Sequence, residues 1–522
     1  MRKLIRPFLG AMLVSLGAMQ PVAAADLATA TIADLNAAFD AGVLSSEKLV
    51  SLYLARIEAY DRKGPQLGSM LALNPQALEQ ARALDAERRE KGPRSPLHGM
   101  VVVAKDVFDT YDMPSTGGFA PMAASQPDRD AFVIERLRDA GAVILGKNNL
   151  ADWYGRAEGS GSTLGGEVRN PYDITRYAGA SSSGSGVAAA AWFATVALGS
   201  DTGGSLLIPA AVNSVVALSP TRGLVSRRGM MWNSPRQEKG GPMTRSVYDA
   251  AAVLDVIAGF DPGDLSTSAS LGKMPSAPYV TYVDADGLRG ARIGVLREMV
   301  RSGPLHKEGN ALFEKALDDM RKRGALVMDV RTGLDLPSLQ GWASSARFES
   351  AMAADAYLKS LPPGVPFRSL QEMLDKAGNA VSPYLAESAS NLKVDRDPQF
   401  LASLRQQDML RDALVALLEE YKLDALVLPY RTVHTARNGA DLGGPGRDEA
   451  RNGLHAYTGL PALLVPGGRF PSDNMPFSLE FIGKPFGEPA LIRVGSGYEA
   501  ATRHRYLPKH VPALPGESWS LD

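Results

Sequence analysis

Apolar residues return at helical spacing from Thr31 to Asp61. Leu35, Phe39, Leu49, Leu52, Tyr53, Ile57 and Tyr60 share one side there, and Ser45-Ser46-Glu47 supplies a start signal. Pro75–Lys91 predicts a second helix with a charged end. Gly99–Ala104 has a different pattern. Val101-Val102-Val103 is β-branched with no polar alternation, as in a strand buried on both faces. Asp130–Ala140, Ser246–Ala258 and Ala311–Arg323 read as helices. Ala142–Leu145, Val215–Ser219, Arg292–Leu296 and Ala325–Val330 read as strands, with a turn at Gly223–Arg227. Phe348–Gln406 is mostly helical and polar, Leu423–Pro429 and Pro461–Pro466 predict late strands, and Tyr498–Arg505 predicts a terminal helix. This alternation predicts an α/β fold with a parallel or mixed sheet flanked by helices.

The pattern centres on Tyr177–Ala210. Two glycine and serine clusters, Gly179–Gly186 and Gly199–Ser205, bracket a helix-like run of small apolar residues from Val187 to Ala197. A solvated linker would not enclose Ala-Ala-Ala-Ala-Trp-Phe-Ala, so the segment reads as the buried centre of a large fold. Serines on glycine-permissive backbone at its edges suit a nucleophile beside exposed N–H groups.

Composition changes the picture at three points. With 45% hydrophobic and 22% charged residues the 522-residue chain is ordinary globular protein, and a net charge of -1 gives no support for nucleic-acid or anionic-membrane binding. The absence of cysteine excludes disulfides, a cysteine nucleophile and thiolate metal ligands. Residues 1–25 read as a secretory signal. Met1–Arg6 carries three cationic residues, Pro7–Met19 is mostly apolar, and Val22-Ala23-Ala24-Ala25 offers a cleavage site after Ala24 or Ala25. The apolar run is shorter than the ~20 residues a membrane span needs, so a periplasmic or secreted protein with no span after signal removal is expected.

The motifs resemble those of the amidase signature family, serine hydrolases that cleave amides with a Ser–Ser–Lys triad and no histidine. Gly179-Ala180-Ser181-Ser182-Ser183-Gly184-Ser185 matches the first serine cluster, Asp201-Thr202-Gly203-Gly204-Ser205 the nucleophile loop, and Val101–Asp106 the lysine strand. Lys105 precedes Ser181 by 76 positions and Ser181 precedes Ser205 by 24, close to the family's spacing. The resemblance implies one large α/β/α domain over residues 26–522 and a reaction on a small-molecule amide through an acyl-enzyme.

By the same resemblance Ser205 is the nucleophile. The N–H groups of Thr202, Gly203, Gly204 and Ser205 form the oxyanion hole, and Ser181, on a cis peptide bond, is the bridge. Lys105 is the base, with Ser182 and Asp201 in support. Ser183 and Ser185 fit turn roles better. A lysine base must be neutral, and a buried strand end favours that. An esterase or carbamate hydrolase with the same triad, or an inactive exported binding protein, are the other readings. A tRNA amidotransferase subunit shares the fold, but the signal segment argues against it.

Two departures are visible. Leu207 stands where the commoner pattern has Arg, as in peptide-amidase-like relatives, which the chain also resembles in Arg169-Asn170-Pro171-Tyr172 and Gly223-Leu224-Val225-Ser226-Arg227. Val107 stands where Asn is common. No G-x-S-x-G elbow supports a Ser-His-Asp enzyme, and none of the six histidines is expected to be essential. No metal and no cofactor are expected. Gly141–Asn148 has P-loop-like glycine and lysine spacing, but ends in Asn where Ser or Thr is required.

Overall fold

The computed structural model describes residues 25–155, 159–390, 394–438 and 453–520. Residues 1–25, where a secretory signal is expected, lie outside the described residues except for Ala25. The organising element is an eleven-stranded mixed sheet flanked by helices. Outside it, β1 (Ala25–Asp26) pairs antiparallel with β13 (Ser518–Trp519). The large sheet contains β2 (Met70–Leu73), β3 (Val101–Lys105), β4 (Val143–Asn148), β5 (Val196–Asp201), β6 (Val216–Ser219) and β7 (Lys239–Thr244). It continues through β8 (Arg292–Leu296), β9 (Leu326–Val330), β10 (Ala425–Pro429), β11 (Ala462–Arg469) and β12 (Pro476–Ile482). Their order is β2-β4-β3-β5-β7-β6-β11-β12-β10-β8-β9.

This order brings the chemistry together. β3 runs parallel to β5, with Ala104 beside Leu198, so Lys105 and Asp201 emerge at the same edge. β7 is antiparallel to β5 and pairs Lys239 with Asp201, which carries Glu238 to that edge as well. Clefts at the carboxyl ends of parallel strands are the usual site of function in open α/β sheets.

Local signals explain most helices. In α1 (Ile32–Asp40) Thr31 and Asp34 form a capping box, and in α2 (Ser46–Arg56) the Ser45 hydroxyl accepts from Lys48 N at 3.1 Å. α3 (Ala77–Lys91) and α4 (Phe132–Asp139) follow the predicted positions. The central run differs from expectation. The helix α5 spans Ser183–Ala190, the chain turns with Trp192 at a φ of 42°, and β5 begins at Val196. Alanine suits either state, and a strand buried on both faces has no alternation to betray it. A Cβ at Gly184 would collide with the Asn149 carbonyl, so this helix start requires glycine to reach its neighbour.

Short α6 (Leu207–Val212) follows the nucleophile loop, and α7 (Val247–Ile257) and α8 (Lys307–Lys322) flank the sheet. α9 (Leu336–Trp342), α10 (Ala346–Ser360), α11 (Leu370–Ala377), α12 (Pro383–Ser390) and α13 (Pro398–Glu420) make the polar helical region. α14 (Leu454–Thr458) precedes β11, and α15 (Glu488–Thr502) begins ten residues before the predicted Tyr498. β2, β7 and β12 are not among the expected strands. β12 does alternate apolar and polar residues from Phe477 to Phe481, a strand signal passed over in the sequence, while β7 hides its own. Lys-Gly-Gly-Pro-Met-Thr has two glycines and a proline, which otherwise mark a turn. The P-loop-like stretch is strand β4. Its buried Lys147 is spent on Asp106 at 2.9 Å and Ser115 Oγ at 2.8 Å, leaving no phosphate cradle there.

The chain's two ends are joined by one buried cation. The Arg56 guanidinium lies over the Trp192 ring at 3.8 Å, donates to Ala191 O, Val511 O and Pro512 O, and pairs with Glu517 at 2.7 Å. Both partners are essentially without solvent contact. Glu517→Ala strands that charge, and the expected cost is about 3–5 kcal/mol of unfolding free energy. Urea titration measures it. A loss below about 1 kcal/mol, the surface-pair range, would show that the pair does not hold the ends together.

Candidate active site

Lys105 closes β3 with its side chain fully buried, and its Nζ donates to Ser181 Oγ at 2.7 Å and Ser200 Oγ at 2.9 Å. Burial lowers its pKa to about 8, against the pull of the Glu238 and Asp201 carboxylates. A neutral amine is therefore accessible near neutral pH, and through the same 2.7 Å contact its lone pair can take the Ser181 proton.

Ser181 lies half-buried in the turn before α5. Its neighbours divide the remaining work. Ser182 donates to Ser200 O at 3.1 Å and accepts from Ser200 N at 3.2 Å, clamping the residue whose hydroxyl shares the lysine. Ser183 donates to Ser160 O, and Ser185 to Leu198 O at 2.8 Å, so both are structural. The expected cis peptide at Ser181 is corrected: all described peptide bonds are trans. A non-proline cis bond costs about 3–4 kcal/mol, and the trans chain already reaches the lysine.

The nucleophile loop leaves β5 at Asp201 and enters α6 after Ser205. Gly204 takes a φ of 106°, open to glycine, and its N–H donates to Asp201 Oδ1 at 2.6 Å. That bond removes Gly204 from the four expected oxyanion donors. The N–H groups of Thr202, Gly203 and Ser205 have no backbone partner among the described residues. Ser205 is half-buried, and α6 has no side-chain cap, so Ser205 is not a capping serine. The Lys105–Ser181 bond is made; an onward bond from Ser181 to Ser205 is not present among the described residues.

Sequence reasoning missed the groups beneath this loop. Glu238 Oε2 accepts from Thr202 Oγ1 at 2.6 Å and from Asn233 N at 3.2 Å, and Gln237 Nε2 donates to Thr202 O at 2.7 Å. Burial holds the Glu238 carboxyl above its ordinary range, although Lys105 opposes this. Asp201 Oδ2 meets His455 Nε2 at 2.8 Å, and His455 Nδ1 meets Glu480 Oε1 at 2.7 Å. Burial alone would raise the Asp201 pKa. His455, Lys239 and the Gly204 N–H overcome it and bring the value to about 2. His98, by contrast, is structural: Nδ1 accepts from Arg94 N at 3.2 Å, so Nε2 donates to Leu84 O at 2.9 Å. Leu207 and Val107 are fully buried, and nothing in the structure explains Val107 in place of Asn.

A cavity of about 840 Å³ opens in the helical region, lined by Arg236, Phe348, Met352, Leu374 and Phe400 among others. Tyr357 of α10 is buried and donates to Asp109 Oδ1 at 2.7 Å.

A buried amine bonded to Ser181 and Ser200, beside a glycine turn carrying Ser205 and open N–H groups, has the parts of a serine hydrolase with lysine in place of histidine. The sequence model of the Amidase family matches residues 48–492, and the chain belongs to that family, hydrolases of C–N bonds. It is similar to the peptide amidase of Stenotrophomonas maltophilia, whose crystal structure aligns at 38% identity and a TM-score of 0.80. That alignment covers 92% of this chain and 98% of the other. A protein of Arabidopsis thaliana described as a probable amidase is 33% identical, with 92% of each chain covered. A glutamyl-tRNA(Gln) amidotransferase subunit from Myxococcus xanthus is 32% identical, and the match covers 92% of this chain and 99% of that protein.

Proposed function

We propose that the protein is an exported amidase that hydrolyses a small-molecule carboxamide through an acyl-enzyme on Ser205. The observation carrying this reading is the 2.7 Å bond between the fully buried Lys105 amine and Ser181, one strand away from the Asp201–Ser205 turn. Neutral Lys105 takes the Ser181 proton as Ser181 takes that of Ser205, and Ser205 attacks the carbonyl carbon. The N–H groups of Gly203 and Ser205, with Thr202, face the developing oxyanion. The proton then returns through Ser181 to the leaving nitrogen, and water repeats the sequence on the acyl-enzyme. No step uses a metal, a cofactor or a nucleic-acid partner.

An ester or carbamate can enter the same chemistry, since acyl transfer does not require nitrogen in the leaving group. A matched panel of amide, ester and carbamate, with intact-mass detection of the adduct, decides between them. Carbamate or ester turnover without amide turnover would replace the reading. Leu207, and the secretory signal we propose for residues 1–25, argue against a glutamine-hydrolysing subunit.

Ser181→Ala is expected to cut kcat/KM by at least about 10²-fold, because the proton path is broken. Ser183→Ala should act mainly on stability, since its hydroxyl holds Ser160 O. Greater kinetic damage from Ser183→Ala would place the bridge on the wrong serine.

A further inference from the structure

We propose that His455 is a positioning residue for the nucleophile turn: clamped between Glu480 and Asp201, its ring fixes the carboxylate that holds Gly204 beside Ser205. The proposal rests on the catalytic reading of Ser205 and adds to it a device borne on distant elements.

The geometry forms a continuous line. Glu480 Oε1 meets Nδ1 at 2.7 Å, Nε2 meets Asp201 Oδ2 at 2.8 Å, and Asp201 Oδ1 takes the Gly204 N–H at 2.6 Å. Glu480, His455 and Asp201 have no solvent contact. Nε2 is hydrogen-bonded to Asp201, while Nδ1 faces Glu480 as an ion pair outside hydrogen-bond geometry. A charged ring therefore compensates both buried carboxylates, and a neutral ring compensates only one. The other groups around the line come from neighbouring strands, loops and α15. Lys239 of β7 donates to His455 O at 3.3 Å and Leu460 O at 3.0 Å, and Ser219 of β6 donates to Asp201 Oδ2 at 3.4 Å. Tyr430, just beyond β10, lies in the field of both Glu480 and Asp201. Arg222 and Glu488 bear on Lys239.

Helix α14 thus lies against the loop at two points. His455 lies beneath Asp201, and two residues on, the Tyr457 hydroxyl would stand 3.5 Å from a Cβ at Gly203. Burial disfavours a charged ring, yet the two carboxylates raise the His455 pKa to about 9. The imidazolium therefore persists through neutral pH. Its proton is lost only as pH rises through about 9, and the hold on Asp201 goes with it.

The test uses the whole protein and a fluorophosphonate that phosphonylates an active serine, with the labelling rate followed by intact mass from pH 6 to 10.5. In the wild type the rate should rise through about pH 8 as Lys105 loses its proton, and fall above about 9 as His455 does. Glu480→Gln removes one of the two stabilising charges, so the alkaline fall should move down by about one pH unit or more. His455→Gln should label about 10–100-fold more slowly at pH 8 and lose the alkaline fall. A purely structural histidine would lower the melting temperature and leave the pH profile in place. A wild-type rate that stays high above pH 9 overturns the proposal, and that measurement needs no variant to fold. An unmoved fall in folded Glu480→Gln, or full labelling in His455→Gln, overturns it as well. If Ser205→Ala still labels, the catalytic reading fails and takes this inference with it; if Ser205→Ala is silent while His455→Gln is normal, only the inference falls.

Discussion

Ser205→Ala is expected to leave a folded protein whose amide turnover has fallen by on the order of 10⁴-fold or more, the scale seen when a serine hydrolase loses its nucleophile. The fold should not notice the change. Ser205 caps no helix, and the loop's shape is set by Gly204 and by Asp201, which the substitution leaves in place. Three measurements belong together: initial rates on an amide, the circular dichroism melting curve, and the intact mass of protein quenched during turnover. A normal melt with no rate and no adduct is the expected set. Normal turnover in the folded variant would remove Ser205 from the reaction, and the oxyanion donors argued from its loop with it.

Lys105→Arg is expected to be nearly as damaging, a loss of about 10³-fold or more, although it keeps a cation of similar reach. The reason is protonation. A group with a pKa of about 8 has roughly a tenth of its molecules neutral at pH 7, enough for a base whose reactive form is regenerated each turn. A guanidinium stays charged at any working pH and cannot accept the Ser181 proton. In the wild type kcat/KM should therefore rise as pH climbs through about 8, since it is the deprotonated form that works. A flat profile from acid to alkaline conditions, or an active Arg variant, would end the case for a lysine base.

Much of this candidate site was legible along the chain because its residues lie in short contiguous motifs. Lys105, Ser181 and the Asp201–Ser205 loop each sit beside glycine or at a strand end, where local pattern and resemblance coincide. The mixed sheet was legible too, from the alternation of β-branched and helical runs. What escaped has a common physical cause. Glu238, His455 and Glu480 act by converging from separate strands and a five-residue helix, and convergence has no linear pattern. β7 hid behind its glycines and proline, though its pairing with β5 is what delivers Glu238 and Lys239 beneath the loop. The occupied Gly204 N–H was likewise invisible. Which donors face a substrate depends on where the Asp201 side chain turns, and that is settled by a histidine 254 residues away.

The Arg56–Glu517 pair sets an order on how the molecule can be made. During synthesis Arg56 emerges early, and its carboxylate partner follows only 461 residues later. Ala191 and Trp192 can receive the guanidinium long before that, but the charge they bury has no counterion until Glu517 arrives. A chain cut before Glu517 keeps every residue of the candidate site and yet buries an uncompensated cation, so a change far from the chemistry is expected to cost the fold that holds it.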